Sequence, residues 1–404
     1  MQIIFISIIV HMVLLFLYKK MGFVLYELLC ATTYLVSLSF IQTLDITMPI
    51  YIAFALLPYI KCFQIKSFFS VSFLLYFSTV ILISILLNGI AAPLSVFLIR
   101  LSGLLFFYYV FSNVDFEPMH GFGVVASLIC EILLLVLGLI LSPNDRLMLN
   151  FQCTVGCIAT SFVLLCAYDF YKRRSMLSFA VMLTHTLIAC ISGTRGYILV
   201  CLVVSFVSII LFPSIKLKLV ALPILLVGFI IEHNAVFKVF ENALRFGEST
   251  GRRTAENRFV IKFMLQRPFY NMLFGNGFGS RTTKFSISQA IISEVSDSSW
   301  SYKVLQRVDS FHNLYFTILY SAGIVGVVMV LVLYYSIIKT SLTGCTNSKM
   351  KTVIVCFLLS YAVLLWYRWS ATSGILEFAV LAYILNDIHR EFPADKAGQL
   401  SDML

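Results

Sequence analysis

One histidine and a handful of arginines carry the chemistry available to this sequence. His312 lies in Arg307-Val308-Asp309-Ser310-Phe311-His312-Asn313-Leu314-Tyr315, where a long polar stretch ends and an apolar run begins. Asp309 or Ser310 is expected to cap the helix that follows, which puts His312 in its first turn. The positive end of a helix disfavours imidazolium, so this ring is expected to be neutral near neutral pH. A neutral imidazole at a water–membrane boundary suits a general base that takes a proton from a hydroxyl. An interfacial histidine that only hydrogen-bonds a neighbouring helix would use the same position.

The arginines offer fixed positive charge. Arg195 sits in Ser192-Gly193-Thr194-Arg195-Gly196 between two apolar runs, where a guanidinium can meet a phosphate oxygen pair; a capping or snorkelling arginine would also fit. Arg100 lies in the middle of an apolar run, a costly place that demands a wet cavity or a partner such as Glu131. Arg146 follows Ser142-Pro143-Asn144-Asp145 in a short connection and reads equally as a solvated loop charge. Arg258 and Lys262 stand one turn apart, on the face of an expected helix 257–267 opposite Phe259, Val260, Phe263 and Met264. Such a helix, ended by Pro268, can lie on a bundle with its cations toward a membrane surface.

The elements that must position these residues follow from composition. The 404 residues are 60% hydrophobic and 12% charged, with mean hydropathy +0.96, which excludes a soluble domain of this size. The net charge of +10 does not imply nucleic acid, because the charges sit at the ends of apolar runs or in one long polar segment. Apolar runs predict thirteen spans, at 2–18, 22–41, 47–60, 67–88, 90–111, 121–141, 151–170, 176–193, 196–212, 219–232, 312–338, 352–367 and 371–386. The third is short enough that twelve is the alternative. The first reads as a retained span, since no basic residue precedes it and no small-residue cleavage site follows. With thirteen alternating spans, Lys19-Lys20, Lys61 with Lys66, Lys172-Arg173-Arg174, Lys216 with Lys218, and Lys339 through Lys351 share one side, the cytoplasm. Residues 142–150, 193–195 and 233–311 then face outward. The expected organisation is an N-terminal bundle over 1–232, a large outer loop over 233–311, C-terminal helices over 312–386 and a cytoplasmic tail over 387–404.

That loop holds eleven Lys or Arg and six acids, so its cations are not there to set topology. Within it, Phe274-Gly275-Asn276-Gly277-Phe278-Gly279 places glycines at every second position, which predicts a tight turn with exposed backbone N–H groups. The chain has no P-loop, zinc motif or paired-carboxylate pattern. Cys153 and Cys157, one turn apart, lack the histidines or acids of a metal site, and the ten cysteines give no disulfide framework. A mechanism run by His and Arg without metal or cofactor is expected.

These elements together resemble the bacterial O-antigen polymerase and O-antigen ligase superfamily. The resemblance rests on Ser192-Gly193-Thr194-Arg195-Gly196, on Arg258 followed by Pro268 and the Gly275, Gly277, Gly279 run, and on Phe311-His312-Asn313-Leu314-Tyr315 with Gly323 and Gly326. Arg146-Leu147 matches an upstream Arg-Leu element, although Cys153-Thr154 replaces the family's usual Pro-Asn pair. It implies an all-α polytopic membrane protein with a GT-C-like architecture and one large periplasmic loop, in the bacterial inner membrane. It also implies an undecaprenyl-diphosphate-linked oligosaccharide as substrate. Arg195 and Arg258 would hold the diphosphate, and His312 would activate the acceptor hydroxyl; Arg146, and Arg100 from its place within an apolar run, are further candidates for the diphosphate. A chain-length regulator is a partner the resemblance allows; nucleic acid is not. Ligases of the family often carry a second histidine two residues before the His-Asn pair, where this chain has Ser310. A polymerase is therefore expected ahead of a ligase. A flippase for the same lipid would show two similar halves, which are absent here, and a membrane O-acyltransferase would bury its histidine deep in the bundle.

Overall fold

The computed structural model describes residues 2–21, 23–41, 44–63, 65, 67–110, 122–141, 145–192, 195–212, 218–219, 221–223, 257, 260–280, 313–345, 347–367 and 374–391. The described elements are helical, in the order α1 (Gln2–Met21), α2 (Phe23–Ile41), α3 (Leu44–Leu56, prolonged by a 3-10 helix Leu57–Cys62), α4 (Phe68–Asn88), α5 (Ala91–Val110), α6 (Phe122–Leu141), α7 (Asp145–Arg173), α8 (Met176–Ser192), α9 (Arg195–Leu211), α10 (Phe269–Phe274), α11 (Leu314–Gly344), α12 (Ser348–Tyr367) and α13 (Ile375–Glu391). Among the described residues, Phe68–Asn88, Val155–Arg173, Leu314–Thr343 and Ser348–Leu365 are long and apolar enough to cross a membrane. Shorter apolar helices accompany them. This is an all-α polytopic membrane architecture.

Local sequence sets the helix ends. Ser67 caps α4, its Oγ accepting from Ser70 N at 3.1 Å, and Gly89 at φ 79° stops it. Asn347 Oδ1 accepts from Lys349 N and Met350 N at 3.0 and 3.3 Å and starts α12. α7 begins at Asp145, before the apolar run expected from 151, because the mixed stretch Asp145–Asn150, with Leu147, Met148 and Leu149 between polar ends, continues the helix. At 29 residues it is about 43 Å long, more than a ~30 Å hydrocarbon layer needs.

α7 is the axis of the bundle. Every residue from Val155 to Tyr168 is buried, against α2, α6, α8, α9, α12 and α13. Gly156, Ala159, Thr160, Ser161 and Ala167 keep that helix slim, so its neighbours approach closely. α4 is peripheral and turns Phe68, Leu75, Leu86 and Leu87 outward, as a lipid-facing helix does. α7 and α9 run parallel in register: Cys157 Sγ reaches Tyr197 OH at 2.9 Å, and Tyr171 OH donates to Ser208 O at 2.6 Å.

One end of the bundle is closed by charge. Lys172 Nζ and Tyr168 OH both donate to Asp387 Oδ2, at 2.6 and 2.9 Å, and Arg173 Nε pairs with Asp169 Oδ1 at 3.0 Å. Lys172 belongs to a basic cluster expected in the cytoplasm, and Asp387 opens the tail expected there. The two share one end, called inner below. The start of α9, the start of α11 and the end of α12 share the other, the outer end.

Candidate active site

The outer end is built around α12. Near its C-terminus, Ala362 O accepts from Tyr315 OH in the first turn of α11, at 3.5 Å, and one level further in Leu358 O accepts from Tyr334 OH. On its other side, Leu364 lies against Gly196, the second residue of α9, where an added Cβ would sit 2.3 Å from Leu364 Cδ1. The starts of α9 and α11 thus meet the same two turns of α12. The chain neighbours of these contacts are Arg195, before Gly196, and His312, two residues ahead of Leu314.

The start of α11 differs from the sequence expectation. Asn313 is its N-cap, with Oδ1 accepting from Tyr315 N at 2.8 Å and Phe316 N at 3.3 Å. His312 therefore precedes the cap instead of occupying the first turn, and neither Asp309 nor Ser310 caps α11. Asparagine caps as well as aspartate or serine, and here it stands at the point where the apolar run begins. Asn313 is 4% exposed, and its Nδ2 has no hydrogen-bond partner among the described residues.

The glycine run does something other than expected. α11 is broken at Gly323, whose φ 64° and ψ −168° lie in a region essentially reserved for glycine. A break frees the carbonyls of the preceding turn, and in an apolar setting each must be satisfied. Asn276 N donates to Tyr320 O at 2.9 Å, with Asn276 Nδ2 on the same oxygen at 3.1 Å. Gly277 N donates to Ser321 O at 2.9 Å, and Tyr76 OH of α4 donates to Ala322 O. Phe278 N then donates to Ser84 Oγ at 2.7 Å, and Gly275 N closes α10 on Asn271 O at 2.7 Å. The N–H groups of Asn276 and Gly277, expected to be exposed, are taken up by the kinked helix. Gly275, Gly277 and Gly279, at φ 81°, 90° and 67°, belong to this backbone latch. Two backbones meet with no room for a side chain: a Cβ on Gly323 would lie 2.2 Å from Leu273 O, and one on Gly275 2.4 Å from Ser321 O.

Phe278 anchors the latch in the bundle. It is fully buried, 5.6 Å edge-on from Phe97 of α5 and 6.2 Å from Phe77 of α4. Upstream, Val260 and Met264 are buried and Phe263 packs 5.6 Å from Tyr320, so the expected inward stripe is present at these three positions; Phe259 lies outside the described residues.

Arg100, 6% exposed, lies one turn along α5 from Phe97 and shares its face. Its expected partner Glu131 is engaged elsewhere. Glu131 Oε2 meets His185 Nδ1 at 2.8 Å, and His185 Nε2 meets Ser127 Oγ at 3.1 Å, all within α6 and α8. Glu131 therefore pairs with His185 and not with Arg100; spacing along a sequence does not say which helix a face meets. Phe162 stacks on the His185 ring at 5.7 Å.

The expected residues thus fall into three groups. Arg195 opens α9 at the outer end, beside the contact with α12. Arg146 opens the overhang of α7, about 16 Å outward of the Cys157–Tyr197 level by helix rise, while Arg195 is only about 3 Å outward of it, so the two are not at one level. Arg258 and His312 lie outside the described residues. Sequence reasoning passed over Tyr76, Ser84, Asn276 and Phe278, although the last two stand inside the glycine run it singled out. Among the described residues no group of three His, Cys, Asp or Glu is arranged to hold a metal ion.

Residues 177–331 match the family described as O-Antigen ligase. The matched stretch runs from α8 into the second half of α11. It encloses Arg195, Arg258, the latch glycines and His312, and leaves out Arg100 and Arg146. The match supports the O-antigen polymerase and ligase superfamily for this chain, and with it a glycosyltransferase-like membrane enzyme. No curated protein matches the chain.

Proposed function

We propose that this protein is an O-antigen polymerase that joins undecaprenyl-diphosphate-linked oligosaccharide repeat units at the periplasmic face of the bacterial inner membrane. The observation that carries the reading is the family match over 177–331. It encloses the two positions, Arg195 and His312, whose near neighbours in the chain, Gly196 and Tyr315, each contact the outer end of α12. In this reading Arg195 and Arg258 hold the diphosphate, with Arg146 on the overhang of α7 and Arg100 within the bundle as further cations. The acceptor hydroxyl oxygen attacks the anomeric carbon and its proton passes to His312. The bond from that carbon to the phosphate oxygen breaks, and its electron pair leaves with the diphosphate. Guanidinium groups fixed toward that developing charge lower the barrier without a metal. A direct displacement inverts the anomeric centre.

A ligase that passes the finished glycan to lipid A-core is the second reading, and the description of the matched family favours it. Ser310, where a ligase would often carry a histidine, favours the polymerase. The discriminating experiment restores this gene, with its cognate repeat-unit genes, to a strain lacking a polymerase but holding its own ligase. A ladder of long chains on core supports the polymerase. Polymer that accumulates on the lipid carrier and reaches core only when this gene is present, in a strain lacking a ligase, supports the ligase. With purified protein, transfer is expected to continue in excess chelator.

A further inference from the structure

Within the long polar segment, the stretch that leads into the latch carries a second apolar face, which the bundle does not cover. Val260, Phe263 and Met264 turn inward, but Ile261 is 44% exposed, Leu265 68%, Phe269 67%, Tyr270 64% and Phe274 52%. Ile261 and Leu265 stand one turn apart on the helix before Pro268, and Tyr270 and Phe274 one turn apart on α10, with Phe269 at its start. Isolated exposed apolar residues are ordinary; five large ones gathered on one short stretch of a polar segment mark a contact.

Its height is fixed by the latch. Phe278 is buried between α4 and α5, Gly277 touches Ser84 near the outer end of α4, and Leu273 O lies against Gly323 of α11. The ridge therefore stands where the membrane spans end. It also continues the lipid-facing surface: exposed Phe274 follows Leu273, and exposed Ile324 and Val328 follow Gly323 down α11. Cations flank it. Lys262 is exposed, and the exposed Arg267 places its guanidinium 4.5 Å from the Phe263 ring centroid, beside the ridge. Large apolar side chains with tyrosine and flanking cations are the make-up of a segment that lies in the headgroup boundary of a bilayer.

We infer that residues 261–274 form a membrane-embedded keel, with Ile261, Leu265, Phe269, Tyr270 and Phe274 sunk into the outer leaflet and Lys262 and Arg267 on anionic lipid phosphates. The keel holds the long segment on the plane of the bilayer. On the function proposed above, that is the plane in which a lipid-linked diphosphate presents its headgroup, but the keel itself does not require that function.

The test is spectroscopic and independent of activity. Phe269→Trp protein is reconstituted in vesicles of phosphatidylethanolamine and phosphatidylglycerol, with or without bromine near the carbonyl end of the acyl chains. The unchanged chain supplies the background of its own three tryptophans. The added emission is expected to be blue-shifted, quenched by brominated lipid and protected from iodide. Leu265→Trp is expected to behave alike, and reads the same face if Phe269→Trp does not fold. Emission that iodide quenches and brominated lipid does not would place the ridge in water. Emission that neither quenches would place it against protein, another copy included. Either result overturns the keel. Loss of glycan transfer in these variants with lipid quenching intact would bear on the functional proposal and leave the keel standing.

Discussion

The two ends of this bundle are closed by different means. At the inner end side-chain charges meet: Lys172 and Tyr168 on Asp387, Arg173 on Asp169. At the outer end the described closure is backbone on backbone, Asn276 and Gly277 on the carbonyls that the break at Gly323 releases, with Tyr76 and Ser84 as side-chain partners. A charge lock tolerates movement, because long side chains follow their partners and surface ion pairs contribute little. A backbone latch does not, because its atoms meet at van der Waals distance and every freed carbonyl needs its donor. The rigid closure lies at the end where Arg195 and the approach to His312 lie. That is where reacting groups would have to be held within a fraction of an ångström.

The contrast can be broken most sharply at Gly323. Gly323→Ala puts a Cβ onto Leu273 O in a conformation reserved for glycine, and is expected to cost about 3–4 kcal/mol. The measurement is the midpoint of thermal unfolding in detergent, with an expected loss of folded protein from membranes. Phe278→Ala empties the pocket between Phe77 and Phe97 and should cost about 3 kcal/mol. Limited proteolysis should then cut within 260–280, where the unchanged chain is expected to resist. Tyr76→Phe keeps the ring and removes the donor to Ala322 O, for about 1–2 kcal/mol, read as a smaller shift of the same midpoint. Lys172→Met at the inner end should cost less, at most about 1 kcal/mol. It should also leave any glycan ladder unchanged. A Lys172→Met effect equal to that of Phe278→Ala would erase the distinction between the ends.

The helices themselves were legible in the sequence. Runs at 67–88, 90–111 and 121–141 became Phe68–Asn88, Ala91–Val110 and Phe122–Leu141, because some twenty apolar residues have one stable form in a bilayer. The criterion reads membrane thickness, not helix length, so it missed the start of α7 at Asp145 and the extension of α11 to Gly344. The partners were not legible. Gly323 announces freedom at a point, but not that its carbonyls would be met by residues more than forty positions earlier. Glu131 announces a buried acid, but only packing chose His185 over Arg100. The cap on Asn313 in place of Asp309 or Ser310 shows the same limit at one turn's range. The sequence marked the N–H groups of the glycine run as exposed; only packing shows that those of Asn276 and Gly277 meet the carbonyls of a helix break.

The most direct test of the central claim is a glycan ladder from cells carrying His312→Ala or Arg195→Ala in the restored strain. Membrane levels of each variant are matched to the unchanged protein. The account predicts folded protein in the membrane and a ladder cut to a single repeat on core with His312→Ala, with Arg195→Ala close behind. A full ladder from His312→Ala at normal protein level would contradict it, and would remove this histidine, and the outer end that leads to it, from the reaction.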